Sequence, residues 1–357
     1  GAPASAGDTQ LQTETCDWET GDSLVISGTS IGSAQTETVS VANISSLSDG
    51  TCLTALDSRL AYPHSATIQT WQAGRRSVDS RARVSRLSHN VVFEGDALSG
   101  SDEFGASIVA FRGGVLDVSG VEFRRCGQSQ RPGSHCIHLR EPATGSASRV
   151  VSSSIHTGYN RGLVLSGVHD VTASGLTIAN VRGHGIAITN GDESGSDVTG
   201  NTVFAPRMCT GCELGDLEVA GVFLASVRNT IALNSVLGSD GTGFKLAPQA
   251  TATGSTANTE VCPDHESVTE FASCSALYSV LDGLQLQTQL TPISLPCGDL
   301  FSVAELSGSQ RVSIISNLSV ALNGRHGVSM RSSGAVSLEH LTAVANAVGQ
   351  VYFGQVT

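Results

Sequence analysis

The chain has 357 residues, a formal net charge of −12 and a pI near 5.2. That acidity excludes nucleic acid as a partner, because binding it depends on Lys and Arg neutralising phosphates, and sets a net repulsion against long polyanionic glycans outside a local basic groove. Hydrophobic residues at 39% exclude a disordered chain, while 4% aromatic residues and 40 glycines do not suit a compact helical enzyme.

Residues 1 to about 80 carry short apolar alternations at Asp22–Ser27, Thr36–Val41 and Cys52–Leu56, which predict a strand-rich N-terminal cap. Gly1-Ala2-Pro3 shows no signal-peptide pattern, so the chain reads as a processed product or a segment of something longer. Five arginines follow closely (Arg75, Arg76, Arg81, Arg83, Arg86); a solvated face with internal ion pairs is the first reading and a ligand site the second.

From residue 81 to 357 the pattern changes to a repeat. Early coils are loose, at Val91–Asp96, Ser107–Phe111 and Gly114–Val118. The unit then becomes regular: Ser154-Ile155-His156 with Asn160-Arg161-Gly162-Leu163, followed by Leu176-Thr177-Ile178 with Gly183-His184-Gly185-Ile186. Ile155 to Ile178 and Gly162 to Gly185 are each 23 positions, and Leu318 to Leu341 repeats that spacing. One coil of such short strands cannot bury its apolar face alone, so coils stack and like residues form ladders. The period therefore predicts an all-β right-handed parallel β-helix. Glycine before each strand is expected to supply a positive φ at the corner. Asn160, Asn180, Asn201, Asn234, Asn323 and Asn346 are expected to stack at matching corners. A short insertion near Cys209–Glu218 and a loop insertion at about 250–299 interrupt the solenoid.

Nine cysteines lie mostly beside turn-rich segments, and the sequons Asn43-Ile-Ser and Asn317-Leu-Ser suit a secretory route. Disulfides are expected, with one thiol free or paired to another chain. Cys209-Thr-Gly-Cys212 reads as a disulfide loop ahead of half a zinc site, since no second Cys/His pair matches it. No run approaches the length of a membrane span, and no cofactor or metal is implied.

The order of several segments resembles the β-helix region of fibrocystin, fibrocystin-like proteins and the related cell-surface and secreted hyaluronan-degrading or hyaluronan-binding proteins. Trp18–Ile26 is similar to that family's W-x-x-G-D-x-I-V-I; Arg81–Val92 with Gly95-Asp96, Val121–Gln128, Ser154–His156 with Asn160-Arg161, and Gly183-His184 resemble further motifs. The resemblance runs from about Trp18 to Leu246 and more weakly to the end. It implies an extracellular or cell-surface protein, matrix- or cilium-associated, and offers a glycan-depolymerising activity.

His138, His156 and His184, with Arg161 and Arg140 nearby, recur near the ends of neighbouring coils, where a solenoid can line them into one external row. Such a row can grip a carboxylate, exchange protons near neutral pH or ligate a metal. The plainer reading has these histidines bonding corner carbonyls. The hyaluronan-degrading relatives' I-H-F-H is Ile137-His138-Leu139-Arg140 here, and their acidic E-D-G is Thr189-Asn190-Gly191. The first change loses a histidine and the second loses both carboxylates, where hydrolysis generally needs two carboxyls; Asp192 and Glu193 stand close by in a shifted register. A non-catalytic structural or adhesion module, assembling with itself or other extracellular subunits, is the leading expectation. A polysaccharide hydrolase or lyase using His138, His156, Arg161 and His184, or simple glycan binding, is the alternative.

Overall fold

The computed structural model describes every residue except 16, 72–75, 141–146, 214–215, 288–296, 298–311, 332–334 and 355–357; Cys16 and Arg75 thus lie outside the described residues. Three long sheets dominate. The first has nine strands, from Val91–Glu94 to Thr342–Val344, and the second has nine, from Ile108–Phe111 to Gly349–Phe353. The third has eight, from Asp117–Ser119 to Val336–Glu339. All neighbours within these sheets are parallel, and the chain visits the sheets in rotation, which makes a parallel β-helix.

The ladders follow from strand alternation, because every second side chain points inward. In the first sheet Phe123, Ile155, Ile178, Val203, Val236, Ala276 and Val320 stand in register, and all are core residues. The second sheet adds Ile137, Leu163, Ile186, Val222, Phe244, Leu284 and Val328.

Corner chemistry differs from the expectation in one respect. The glycines before second-sheet strands (Gly162, Gly185, Gly243 and Gly283 among them) do not carry positive φ. They are small because coils meet there: a Cβ on Gly283 would sit 2.6 Å from Val320 Cβ and 2.8 Å from the Gly327 carbonyl. The left-handed residues fall in two stacked rows, where glycine serves at some coils (Gly238 in the first row; Gly120, Gly175 and Gly200 in the second) and other residues at the rest. Thr157, Asn180, Ala205, Tyr278, Leu322 and Ala345 turn the chain from the first sheet to the second. Ser152, Leu233, Ser273, Asn317 and His340 turn it from the third to the first. Hydrogen bonding to the next coil holds several of them there: Ser152, Leu233, Ser273 and Asn317 donate their N–H groups to the Ser174, Ala272, Ser316 and Glu339 carbonyls. Each such residue carries a strain of about 1–3 kcal/mol, which these bonds partly offset.

The asparagines likewise form two short ladders rather than one. Asn234 Oδ1 accepts the Asn201 N–H and Nδ2 at 3.1 and 3.0 Å, while Asn346 Oδ1 accepts those of Asn323 at 3.1 and 2.9 Å. Asn160 bonds backbone and His135 instead, and Asn180 Oδ1 accepts from Arg207.

The N-terminal strands Gln10–Thr13, Ser23–Ile26, Glu37–Ser46, Cys52–Leu56 and Val84–Arg86 form an antiparallel five-stranded sheet, so this element runs past residue 80. It lies along the flank of the solenoid. On the outer face of the first sheet, Ala179, Phe204, Leu237, Leu277 and Ala321 form an apolar strip that packs with Val25, Val78 and Leu87. Arg83 donates to Ser235 Oγ and Tyr278 Oη to the Ser80 carbonyl across this seam.

The stretch read as one insertion over 250–299 contains a full coil, Glu270–Ala272, Ser275–Leu277 and Leu284–Leu286, whose Phe271, Ala276, Leu284 and Leu286 join the core. Residues 288–296 and 298–299 of that stretch lie outside the described residues. Disulfides join Cys126–Cys136, Cys209–Cys212 and Cys262–Cys297, and Cys52 is also disulfide-bonded. Cys274 is a free buried thiol, pushed up to about 12 by burial.

Candidate functional site

A groove of about 300 Å³ opens on the outer face of the second sheet. Two corner loops wall one side: the loop closed by Cys126–Cys136, which brings Gly133 and His135, and the excursion carrying Cys209–Cys212, which brings Glu213. Gly254 and Ser255, from the excursion after Thr242–Leu246, wall the other.

His138 stands on Ile137–Arg140 with its ring facing out, between Ile137 and Leu139 in the core. Its Nδ1 lies 3.2 Å from the Gly133 carbonyl, which only an N–H can satisfy, so Nε2 accepts from the Ser166 hydroxyl at 3.0 Å. Ser166 in turn meets Thr189 Oγ1 at 2.8 Å. Burial pushes His138 down to about 4, so it is neutral at physiological pH. His135 packs edge-on against it at 4.8 Å, directs Nδ1 to Asn160 Oδ1 at 3.1 Å, and is held far below its ordinary pKa by burial.

Arg161 and His184 occupy equivalent corner positions one coil apart, each just before a ladder glycine. Both reach Asp216, a fully enclosed carboxylate. Arg161 grips it with Nε at 3.0 Å and Nη2 at 2.8 Å, a two-pronged charge-assisted pair. His184 Nδ1 accepts the Ala220 N–H at 2.9 Å, which leaves Nε2–H to face Asp216 at 3.4 Å. Burial drives His184 far down and pushes Asp216 up, with Arg161 opposing the latter. Gly183 is required here: its φ is +85°, and a Cβ would sit 2.6 Å from Asp216 Oδ2. His184 also stacks on Phe223 at 4.7 Å.

The expected single row is therefore corrected. His138, Arg161 and His184 gather on the second-sheet side, whereas His156 lies on the first sheet and pairs with Glu122 at 3.1 Å. Its register partner is Ala179 and that of His138 is Val164, so the two belong to different faces. Glu193 is buried and accepts the N–H groups of Gly167, Asn190 and Gly191 at 2.7–2.9 Å, while Asp192 accepts from Thr256. Both brace loops and neither lines the groove. Sequence reasoning missed His135, Glu213 and Asp216. The run of acids beside a disulfide loop, Cys212-Glu213 to Asp216, was the available signal. Among the described residues no group of three metal-ligating side chains forms.

A three-sheet parallel solenoid with a polar groove on one face defines the class, a β-helix module with loops grafted at its corners. The CEMIP β-helix family model matches residues 103–283, half of the chain, and the chain belongs to that family. It is 26% identical over 283 residues to fibrocystin-L of Mus musculus, covering 68% of this chain, and 25% identical over 121 residues to a G8 domain-containing protein of Dictyostelium discoideum, covering 34%. The match covers 7% of the mouse protein's length and 11% of the Dictyostelium protein's. Among solved structures, the periplasmic alginate epimerase AlgG aligns with a TM-score of 0.43 at 14% identity, covering 71% of this chain and 50% of that one. The catalytic domain of a GH87 α-1,3-glucanase aligns at 0.25 and 11%, covering 100% of this chain and 89% of that one.

Proposed function

We propose that this chain is a non-catalytic module of an extracellular or cell-surface protein, and that its second-sheet groove recognises a glycan through hydrogen bonds without cutting it. The disulfides support an oxidising compartment, and the family membership supports the cell-surface reading. One observation carries the non-catalytic part: His138 and Arg161, the candidate groups on the groove's lining, already have protein partners. Asp216 is closed off between Arg161 and His184, and both nitrogens of His138 are engaged. Among the described lining residues, Glu213 is the remaining carboxylate, where hydrolysis needs two flanking the bond. Neutral polar groups remain at the surface of the groove, with the half-buried Ser166 and Thr189 and the exposed Ser255 suited to sugar hydroxyls.

The test is a panel of acidic and neutral polysaccharides, with binding followed by calorimetry and chain length by size-exclusion chromatography. Binding with unchanged chain length, weakened by Thr189→Val, is the expected result. Shortening of any polymer that disappears in Glu213→Gln would establish the polysaccharide-active alternative and end this proposal.

A further inference from the structure

A second cleft, of about 270 Å³, lies at the seam between the N-terminal sheet and the first sheet of the solenoid. Leu11, Trp18, Ile26 and Val84 give it an apolar wall, Thr202 of the first sheet borders it, and Arg81 and Arg83 enter it. The two arginines are not equivalent. Arg81 clamps both oxygens of Asp79, at 2.8 and 2.7 Å, and its remaining nitrogen meets Glu14. Both local carboxylates are thereby taken. Arg83 has no carboxylate within ion-pair distance among the described residues, and its guanidinium makes one hydrogen bond with them, from Nη1 to Ser235 Oγ at 2.5 Å.

A guanidinium presents five N–H donors in a planar fork, so among the described residues most of Arg83's donors have no protein acceptor. Burial pulls the pKa of Arg83 down, the mark of a cation short of compensation. Thr13 Oγ1, on the lining of the same cleft, is buried with no hydrogen-bond partner. The chemistry that satisfies a planar fork is a planar carboxylate, which takes two parallel N–H bonds. Beside it the apolar wall accepts a hydrocarbon or aromatic body. The volume falls just under the roughly 300–1,000 Å³ of sites for drug-sized ligands, which limits the occupant to a small molecule.

We propose that this seam cleft binds a small monocarboxylate with an apolar body, its carboxylate gripped by Arg83 and approached by the Thr13 hydroxyl. The site is separate from the second-sheet groove and does not depend on how that groove functions. Such a ligand touches both the N-terminal sheet and the solenoid, so it braces the docking of one on the other and raises thermal stability by mass action.

The experiment uses the full chain with hexanoate and benzoate as probes, and hexanol and inorganic phosphate as controls, read by calorimetry and by the shift in Tm. The carboxylates are expected to bind and raise Tm, with affinity falling at least tenfold in Arg83→Gln at unchanged circular dichroism. Arg83→Lys, which keeps the charge and loses the fork, is expected to weaken binding by a similar factor; it decides the matter if Arg83→Gln does not fold. Absence of saturable binding, equal binding of hexanol, phosphate matching the carboxylates, or unchanged affinity in the variants would overturn the proposal.

Discussion

Asp216 has zero exposure and meets Arg161 and His184, and a carboxylate so enclosed stabilises the fold only while its partners remain. Asp216→Asn leaves the Arg161 guanidinium buried without a counter-charge, for which a loss of about 3 kcal/mol is expected in urea denaturation. His156→Gln, at a smaller pair on the other face, should cost less in the same measurement. His138 makes a prediction in pH. Its folded pKa is about 4 against 6.5 when free, so between those values the unfolded chain holds the proton and the folded chain does not. Its contribution is full above pH 6.5 and declines as pH falls toward 4; His135 and His184 shift in the same direction. Urea midpoints should therefore drop between pH 7 and 4.5, and the drop should be shallower in His138→Gln. A flat profile in the parent protein would contradict the buried, neutral assignment.

At the scale of strands and corners, the ladders set what a substitution costs. A methyl at Gly283 would press on Val320 and on the Gly327 carbonyl at once, so Gly283→Ala is expected to lose about 1–3 kcal/mol by overpacking, read by thermal unfolding. Asn234→Ala removes the acceptor for the Asn201 N–H and should cost a similar amount, since the donor is left buried and unpaired. These elements also show how far the sequence could be read. The 23-residue spacing and the inward ladders were legible, because every coil asks the same position for an apolar residue. The left-handed corners were legible only where glycine holds them, as at Gly120, Gly175, Gly200 and Gly238: Thr157, Asn180, Ala205, Tyr278 and Leu322 share the conformation without sharing a residue type. Bonds from the Ala205 and Leu322 N–H groups to the Leu237 and Val344 carbonyls of the next coil hold two of them there, and a local signal exists only at the glycine corners. His138, Arg161 and His184 were legible as site candidates because they sit within the repeat. His156 went astray because spacing alone does not say which of three faces a residue joins. Asp216 was missed because it lies in an insertion, where the period is lost.

For the molecule as a whole, the flank-packed N-terminal sheet is the feature that separates this chain from a bare solenoid. Placing a charge in its interface, as in Leu237→Asp, should undock the sheet and expose Phe204 and Leu277, giving increased binding of a hydrophobic dye while the coils keep their circular dichroism. The same docking has a consequence for how the chain is made. Within the solenoid a strand usually waits for a partner a few tens of residues on, as Ile155 waits for Ile178. The N-terminal sheet waits far longer: Arg83 meets Ser235 across 152 residues, Ser80 meets Tyr278 across 198, and Ser33 meets Asp240 across 207. At roughly 5–20 residues per second, the sheet emerges on the order of ten to forty seconds before the surface it will cover exists. During that interval its own apolar residues, Val25 and Leu87 among them, are left to a chaperone or to chance, and the completed rod closes over a partner that was synthesised first.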